Sequence, residues 1–302
     1  MDKLKLLNRI KELYDRGDNI MQFLRALDAK KNNSQEDILI SYDIQSGVYT
    51  ERSKINAPIR EAYCKEIAEI IDSLEGNSLL EVGVGEATTL GNLLLHSKKE
   101  FKEIYGFDLS WSRIRYARKY LEKLAVKAIN ICLVTGDLFN PPFLTNSIDI
   151  VYTAHTLEPN GGREKEALEA LYRICRKYLI LIEPGYELAT KEARERMEQH
   201  GFVKNLLQHA KDLGYKVIEH KMLKATFNPL NPSGMIVIEK EPLPSPLNKR
   251  LPLACPVTKT PLKKYENEYF SAESLLAYPE IKGIGCLMPQ NAIIATHFLD
   301  DL

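Results

Sequence analysis

Residues 79–87, Leu-Leu-Glu-Val-Gly-Val-Gly-Glu-Ala, decide the fold. A short apolar strand runs into a glycine-rich turn, and Thr88, Thr89 and Leu90 then open a helical pattern. Glycine is needed where the backbone turns sharply with positive φ and where a ligand must come into van der Waals contact. A strand, a glycine-rich turn and a helix, in that order, form the nucleotide-cradling unit of a doubly wound sheet. Gly-x-Gly-x-x-Ala alone also fits a plain tight turn, so the residues around it carry the decision.

Twenty-five residues beyond Gly83, Ile104-Tyr-Gly-Phe-Asp-Leu-Ser110 ends a second strand on Asp108. A carboxylate there is placed to accept hydrogen bonds from ribose hydroxyls. Glu81 stands two residues before the first glycine, where it suits a cationic amino-acid head and would repel a pyrophosphate. A third acidic turn, Thr135-Gly-Asp137-Leu138, closes the next strand, where a carboxylate could accept an adenine amino group.

With Glu81-x-Gly83-x-Gly85, Asp108 and Gly136-Asp137 in this order, residues 58–240 resemble the class I S-adenosylmethionine-dependent methyltransferases. Ala87 departs from the family pattern, in which many members carry a third glycine. The resemblance implies an enzyme with S-adenosylmethionine as cofactor. Glu81, Gly83 and Gly85 would hold its methionine end, Asp108 the ribose, and Asp137 with Leu138 the adenine, with Leu109 a further cofactor-binding residue. Thr153, at the end of the fourth strand, and Tyr49 would complete the cofactor site.

Strands are expected at 79–82, 103–108, 130–135, 148–153 and 178–183, with helical patterns between them such as Ile114, Ala117, Leu121 and Leu124. That alternation is the mark of a parallel sheet. Two more strands, 215–220 and 234–239, follow with no helix between them. The expected fold is therefore α/β, a doubly wound, Rossmann-like, seven-stranded and mostly parallel sheet. Residues 1–57 would form an N-terminal helical cap and lid, with amphipathic helices on either side of Gly17 and a polar loop over 30–36. Residues 58–241 would be the cofactor-binding domain.

Residues 242–302 read as a proline-rich linker and a small α+β module that looks like the zinc-ribbon-like activator subunit of RNA and protein methyltransferases. Its Cys-Pro-x-Cys is broken, because Thr258 follows Cys255-Pro256 where the second cysteine belongs. Structural zinc takes four ligands, and the module offers only Cys255, Cys286 and His297, so no metal is expected.

Forty-one basic and forty-one acidic residues cancel, which leaves no net field to draw nucleic acid or an anionic membrane. Five scattered cysteines argue for a reducing compartment. No signal peptide or membrane-spanning run is evident, so a cytoplasmic protein is expected, with self-association left open. The segment Thr153-Ala-His-Thr-Leu-Glu-Pro-Asn160 lies at the strand edge where open α/β sheets bind ligands. His155 there is suited to act as general base, or it packs beneath the cofactor. Glu158 and Asn160 could shape a substrate loop, and Tyr42 and Arg52 a lid over it. Asn140-Pro-Pro-Phe143 precedes the fourth strand instead of following it and reads as a loop. These features favour a small-molecule or sugar-derived methyl acceptor. An RNA or protein acceptor, or a scaffold that binds cofactor without turnover, are the alternatives.

Overall fold

The computed structural model describes residues 3–28, 34–52, 55, 57–124, 130–241 and 251–300. The expected linker over 242–250 and the start of the expected loop, 30–33, lie outside the described residues. Four helices come first: α1 (Leu7–Asp15), α2 (Ile20–Asp28), α3 (Gln35–Ile44) and α4 (Val48–Arg52). They are followed by α5 (Ala57–Ser73), β1 (Ser78–Val82), α6 (Thr88–His96), β2 (Glu103–Asp108), α7 (Trp111–Leu124), β3 (Ile131–Thr135) and β4 (Ile148–Ala154). Then come α8 (Glu164–Ile174), β5 (Cys175–Pro184), α9 (Lys191–His200), α10 (Leu206–Asp212), β6 (Lys216–Met222) and β7 (Ser233–Glu239). The tail adds β8 (Lys263–Lys264), β9 (Glu268–Ser271), β10 (Leu276–Ile281), β11 (Ile284–Cys286) and β12 (Ile293–Ile294).

Strands β1 to β5 are parallel neighbours in the order β3-β2-β1-β4-β5, and β7 runs antiparallel between β5 and β6. Side-chain alternation explains the three layers. Leu80 and Val82 of β1 face a core shared with Leu168 and Leu171 of α8, whereas Leu79 faces Ile67 of α5, Leu90 of α6 and Ile114 of α7. The chain leaves β1 for β2 on one side and reaches β4 on the other. That reversal opens a crevice at the carboxyl ends of the strands.

The sheet has twelve strands, not seven. Strand β11 pairs in parallel with β3 through Gly285–Val134 and Cys286–Thr135, and β10, β9 and β8 continue the sheet beyond it, with β12 on β10. The join is reinforced by Leu144 N–H donating to Pro252 O at 2.8 Å and Ala254 N–H to Pro142 O at 2.9 Å. Trp111 Nε1 also donates to Ile281 O at 3.3 Å. The expected α+β character of the tail is corrected: its described residues hold five strands and one short 3-10 turn, with no α-helix. Local pattern could not reveal this, because the tail strands are two to six residues long and gain their partners from distant sequence.

Helices α3 and α4 occupy the stretch 41–52 that shows no periodicity in the sequence. Helix α3 is buried on more than one side (Ile38, Ile40 and Ser41), which erases the amphipathic signal. It is started by a capping box, Ser34 Oγ accepting from Asp37 N–H at 3.1 Å and Asp37 Oδ2 from Ser34 N–H at 2.9 Å. All five cysteines are free. Among the described residues no helix is long and apolar enough to cross a membrane.

Candidate active site

A cavity of about 460 Å³ opens at the carboxyl ends of β1 to β4, within the size range of small-molecule and cofactor sites. The glycine turn forms its floor. Gly83 and Gly85 have φ of +63° and +53°, and Ala87, at +56°, bears the cost of the missing third glycine. A Cβ on Gly83 would lie 2.3 Å from the Thr156 methyl, and one on Gly85 would lie 2.4 Å from the Arg113 guanidinium. The glycines therefore make room for the protein's own side chains. Gly83 lines the cavity, while Gly85 sits behind it.

Glu81 ends up 2% exposed, facing the cavity. Burial pushes its pKa up to about 8. Among the described residues its Oε2 has no hydrogen-bond partner. Asp108 is held more firmly: it accepts Gly85 N–H at 3.0 Å and Ser110 N–H at 2.9 Å, with the Arg113 guanidinium at 3.5 Å. Asp137 accepts Phe139 N–H at 3.0 Å and Asn140 Nδ2 at 3.2 Å. Leu109 and Leu138 line the cavity beside these two carboxylates. Asn140 stays outside the lining and is held by Lys259 Nζ at 3.2 Å.

The N-terminal helices supply the wall opposite the sheet through Ile38, Tyr42, Tyr49 and Arg52. Glu86, buried in the turn, accepts the N–H groups of Gly47 (2.8 Å), Tyr49 (3.3 Å) and Thr50 (2.7 Å) and so ties α4 to the glycine loop. Asp43 of α3 accepts Ser110 Oγ at 2.7 Å and Ser112 Oγ at 2.9 Å at the start of α7. Arg113 lies with its guanidinium 5.0 Å from the Tyr42 ring centre and 4.9 Å from that of Tyr49.

After β4 the chain turns at His155, whose φ of +55° is unusual for a residue with a Cβ. Glu183 holds this turn by accepting the N–H groups of Thr156, Leu157 and Glu158, each at 3.0 Å. His155 lines the cavity, but both ring nitrogens are engaged: Nδ1 with Glu158 at 2.5 Å and Nε2 with Ser233 Oγ at 2.7 Å. Burial works against the charged ring, yet the Glu158 hydrogen bond and the Glu158 and Glu183 carboxylates outweigh it and raise its pKa above the ordinary 6.5.

The structure thus gathers Glu81, Gly83, Asp108, Leu109, Asp137, Leu138, Tyr42, Tyr49, Arg52, His155 and Asn160 around one cavity. It leaves out three expected residues. Thr153 is fully buried, on the face of β4 that Val151 shares with α8; Glu158 sits behind the His155 ring; Gly85 backs onto Arg113. Sequence reading missed Arg60, Tyr63, Glu86, Arg113 and Phe227 of the lining. Arg113 stands in a basic run that reads as a solvated face, and Phe227 belongs to a loop with no pattern of its own. The three expected metal candidates stay apart. Cys255 Sγ contacts Tyr278 Oη at 3.2 Å, Cys286 Sγ contacts Ile284 O at 3.7 Å, and His297 pairs with Asp300 on the surface.

Residues 79–178 match the family of methyltransferase domains. The match covers about a third of the chain. The match ends inside β5, and β6, β7, the N-terminal helices and the tail lie outside it. No curated protein matches the chain. Among solved structures, the complex between the Haloferax volcanii Trm112 methyltransferase activator and a methyltransferase contains a chain 15% identical at a TM-score of 0.50, over 64% of this chain and 94% of that one. Magnesium protoporphyrin IX methyltransferase from Synechocystis PCC 6803, with bound SAH, is 14% identical at a TM-score of 0.50, over 67% and 99%. A SAM-dependent methyltransferase from Aquifex aeolicus is 20% identical at a TM-score of 0.46, over 63% and 97%. At such identities the likeness is one of fold.

Proposed function

We propose that the cavity takes S-adenosylmethionine with its methionine end at Glu81 and the Gly83–Gly85 turn, its ribose at Asp108 and its adenine beside Asp137 and Leu138. The methyl acceptor is a small-molecule or sugar-derived nucleophile. One observation carries this reading: a carboxylate oxygen of Glu81 is buried in the cavity wall without a partner. An unpaired buried polar group is costly, and a ligand ammonium is the group that would relieve it. A pyrophosphate placed there would add to the cost instead.

When bound, the cofactor supplies a methyl group activated by a sulfonium. The chain's own residues then have to orient and exclude. In-line positioning of a nucleophile supplies most of the acceleration such a reaction needs. Tyr42, Tyr49 and Arg52 on α3 and α4 form a lid that keeps water out, anchored by Glu86 and Asp43. Asn160 and the His155 ring face the acceptor. Glu158 fixes the Nδ1 side of that ring, so Nε2 takes the acceptor proton once it exchanges Ser233 for the acceptor. The equal numbers of acidic and basic residues weigh against a polyanionic acceptor. Three units follow: 1–57 as cap and lid, 58–241 as catalytic domain and 242–302 as a tail that occupies the β3 edge, with no metal ion of its own.

Calorimetry with S-adenosylhomocysteine and with a nicotinamide dinucleotide tests the cofactor assignment. Binding of the first and not of the second is expected, and tight dinucleotide binding would overturn it. Methyl transfer from labelled donor to members of a small-molecule acceptor panel tests the acceptor class, and transfer only to RNA or protein would refute it.

A further inference from the structure

Besides Glu81, the cavity wall holds buried polar atoms without a partner on Arg60, Tyr63 and Arg113 among the described residues, and the one on Arg60 belongs to a group of opposite charge to Glu81. Among the described residues Arg60 Nε has no hydrogen-bond partner, and both Arg60 and Glu81 line the cavity. Arg60 projects from α5. Its Nη1 donates to Thr88 Oγ1 at 3.3 Å, on the first residue of α6, directly after the glycine turn. That contact fixes one side of the guanidinium and leaves the edge formed by Nε and Nη2 for the cavity. The Phe227 ring, with its centre 5.3 Å from the guanidinium carbon, holds the plane from a second direction. Cys64, one helical turn beyond Arg60, is fully buried and senses both charges, Arg60 favouring its thiolate and Glu81 opposing it. Both charges therefore lie near enough to one thiol to act on it.

The cavity's other arginines are differently placed. Arg113 is paired with Asp108 and packed against two tyrosine rings, and Arg52 is exposed. Arg113 Nε also lacks a hydrogen-bond partner, but its guanidinium already stands against the Asp108 carboxylate, whereas Arg60 has no ion pair among the described residues. A guanidinium edge binds a carboxylate through two parallel N–H bonds. A carboxylate such as Glu81 takes an ammonium. A ligand presenting both groups on one carbon satisfies both atoms at once, and neither a plain amine nor a plain acid does.

We propose that Arg60 and Glu81 together form a clamp for an α-amino-acid zwitterion. It rests on the cofactor reading above and deepens it: Arg60 takes the carboxylate of the methionine half, and the clamp selects donors that retain it. The test compares S-adenosylhomocysteine with its carboxyl methyl ester, which keeps the ammonium and lacks the anionic charge. Wild-type protein should bind the ester about 10- to 100-fold more weakly, as expected for losing a hydrogen-bonded charge pair. Arg60→Met should lose the same factor for S-adenosylhomocysteine and nothing for the ester, with Arg60→Lys recovering part of the loss. If wild-type protein binds acid and ester alike, the clamp is wrong whatever the variants do. Equal losses for both ligands in Arg60→Met would also overturn it, since Arg60 would then only brace α6 through Thr88. So would unchanged S-adenosylhomocysteine affinity with a raised acceptor KM, which would assign Arg60 to an acceptor carboxylate. Wild-type protein that binds neither ligand would refute the cofactor reading, and the clamp with it.

Discussion

Glu81 makes ligand binding depend on pH in a direction that can be worked out beforehand. Burial pushes its pKa up to about 8, so the unliganded chain keeps a proton on this side chain through neutral pH. An ammonium ligand needs the ionised form, and binding must therefore expel the proton. At pH 6, two units below that value, the expulsion costs about 2.7 kcal/mol, at roughly 1.36 kcal/mol per unit. S-adenosylhomocysteine should accordingly bind about 100-fold more weakly at pH 6 than on a plateau above pH 8. Calorimetry at several pH values, in buffers of different ionisation heat, reads both the slope and the proton released, about one per ligand at the acid end. Glu81→Gln should abolish the slope. Wild-type affinity that stays flat between pH 6 and 8, or a Gln variant with the wild-type slope, would refute the reasoning. Stability carries the opposite sign. A raised carboxyl pKa contributes stability that is full below the ordinary 4.5 and is lost as pH rises through about 8. The unliganded protein should therefore melt lower at pH 8 than at pH 5.5 through this group, and saturating ligand should reduce the difference.

Asp108→Ala strips a partner from the Gly85 and Ser110 N–H groups and from Arg113. It should weaken S-adenosylhomocysteine binding by about 1–3 kcal/mol, and an unchanged affinity in calorimetry would remove Asp108 from the ribose. Glu86→Ala leaves three backbone donors of 47–50 without their carboxylate; amide exchange should accelerate across α4 while β1 and β2 keep their protection. His155→Ala should cut turnover by about 10²–10⁴-fold with cofactor affinity nearly intact. Because the ring's pKa is raised, the wild-type rate should already be falling above pH 6.5 on the acid side, and equal losses in binding and turnover would place the ring in the fold instead.

The parts of this molecule that are legible in its sequence are the ones that local chemistry writes. The strand ends at Val82, Asp108 and Thr135 and the turn between Gly83 and Ala87 fall where apolar runs stop and acidic or glycine residues begin. Helices α9 and α10 escaped notice because they are mostly polar and bury few residues: Ala193, Met197, Leu206 and Ala210. The start of α3 falls inside the stretch 30–36 that reads as a polar loop: Gln35 and Glu36 are helical behind the Ser34–Asp37 box, and the helix continues through a stretch buried on several sides. Glu86 and Asp43 gain their roles from partners 36 to 69 positions away, and Arg113 gains its role from Asp108 and from rings on other helices; no periodicity encodes such pairs. The tail is the extreme case. Cys255-Pro-Val-Thr258 resembles a metal knuckle without its second cysteine, while the feature that fixes the tail's place, the three residues of β11 between β3 and β10, carries no signal at all.

The pairing of β11 with β3 also sets a clock on biosynthesis. Thr135 and Gly285, which meet at that join, are 150 residues apart. At about 5–20 residues per second, a ribosome needs roughly 8–30 s to make the intervening chain. Throughout that interval β3 is an uncovered strand, and once β7 has been made it is the bare edge of a sheet whose members β1 to β7 can already have paired, the state most open to wrong edge-to-edge association. Closing a loop of this length costs only slowly growing entropy, so delay, rather than free energy, is the hazard. Completion of the sheet waits on translation, and the nascent chain passes through its most vulnerable form after the glycine turn, Asp108 and Asp137 have all been made.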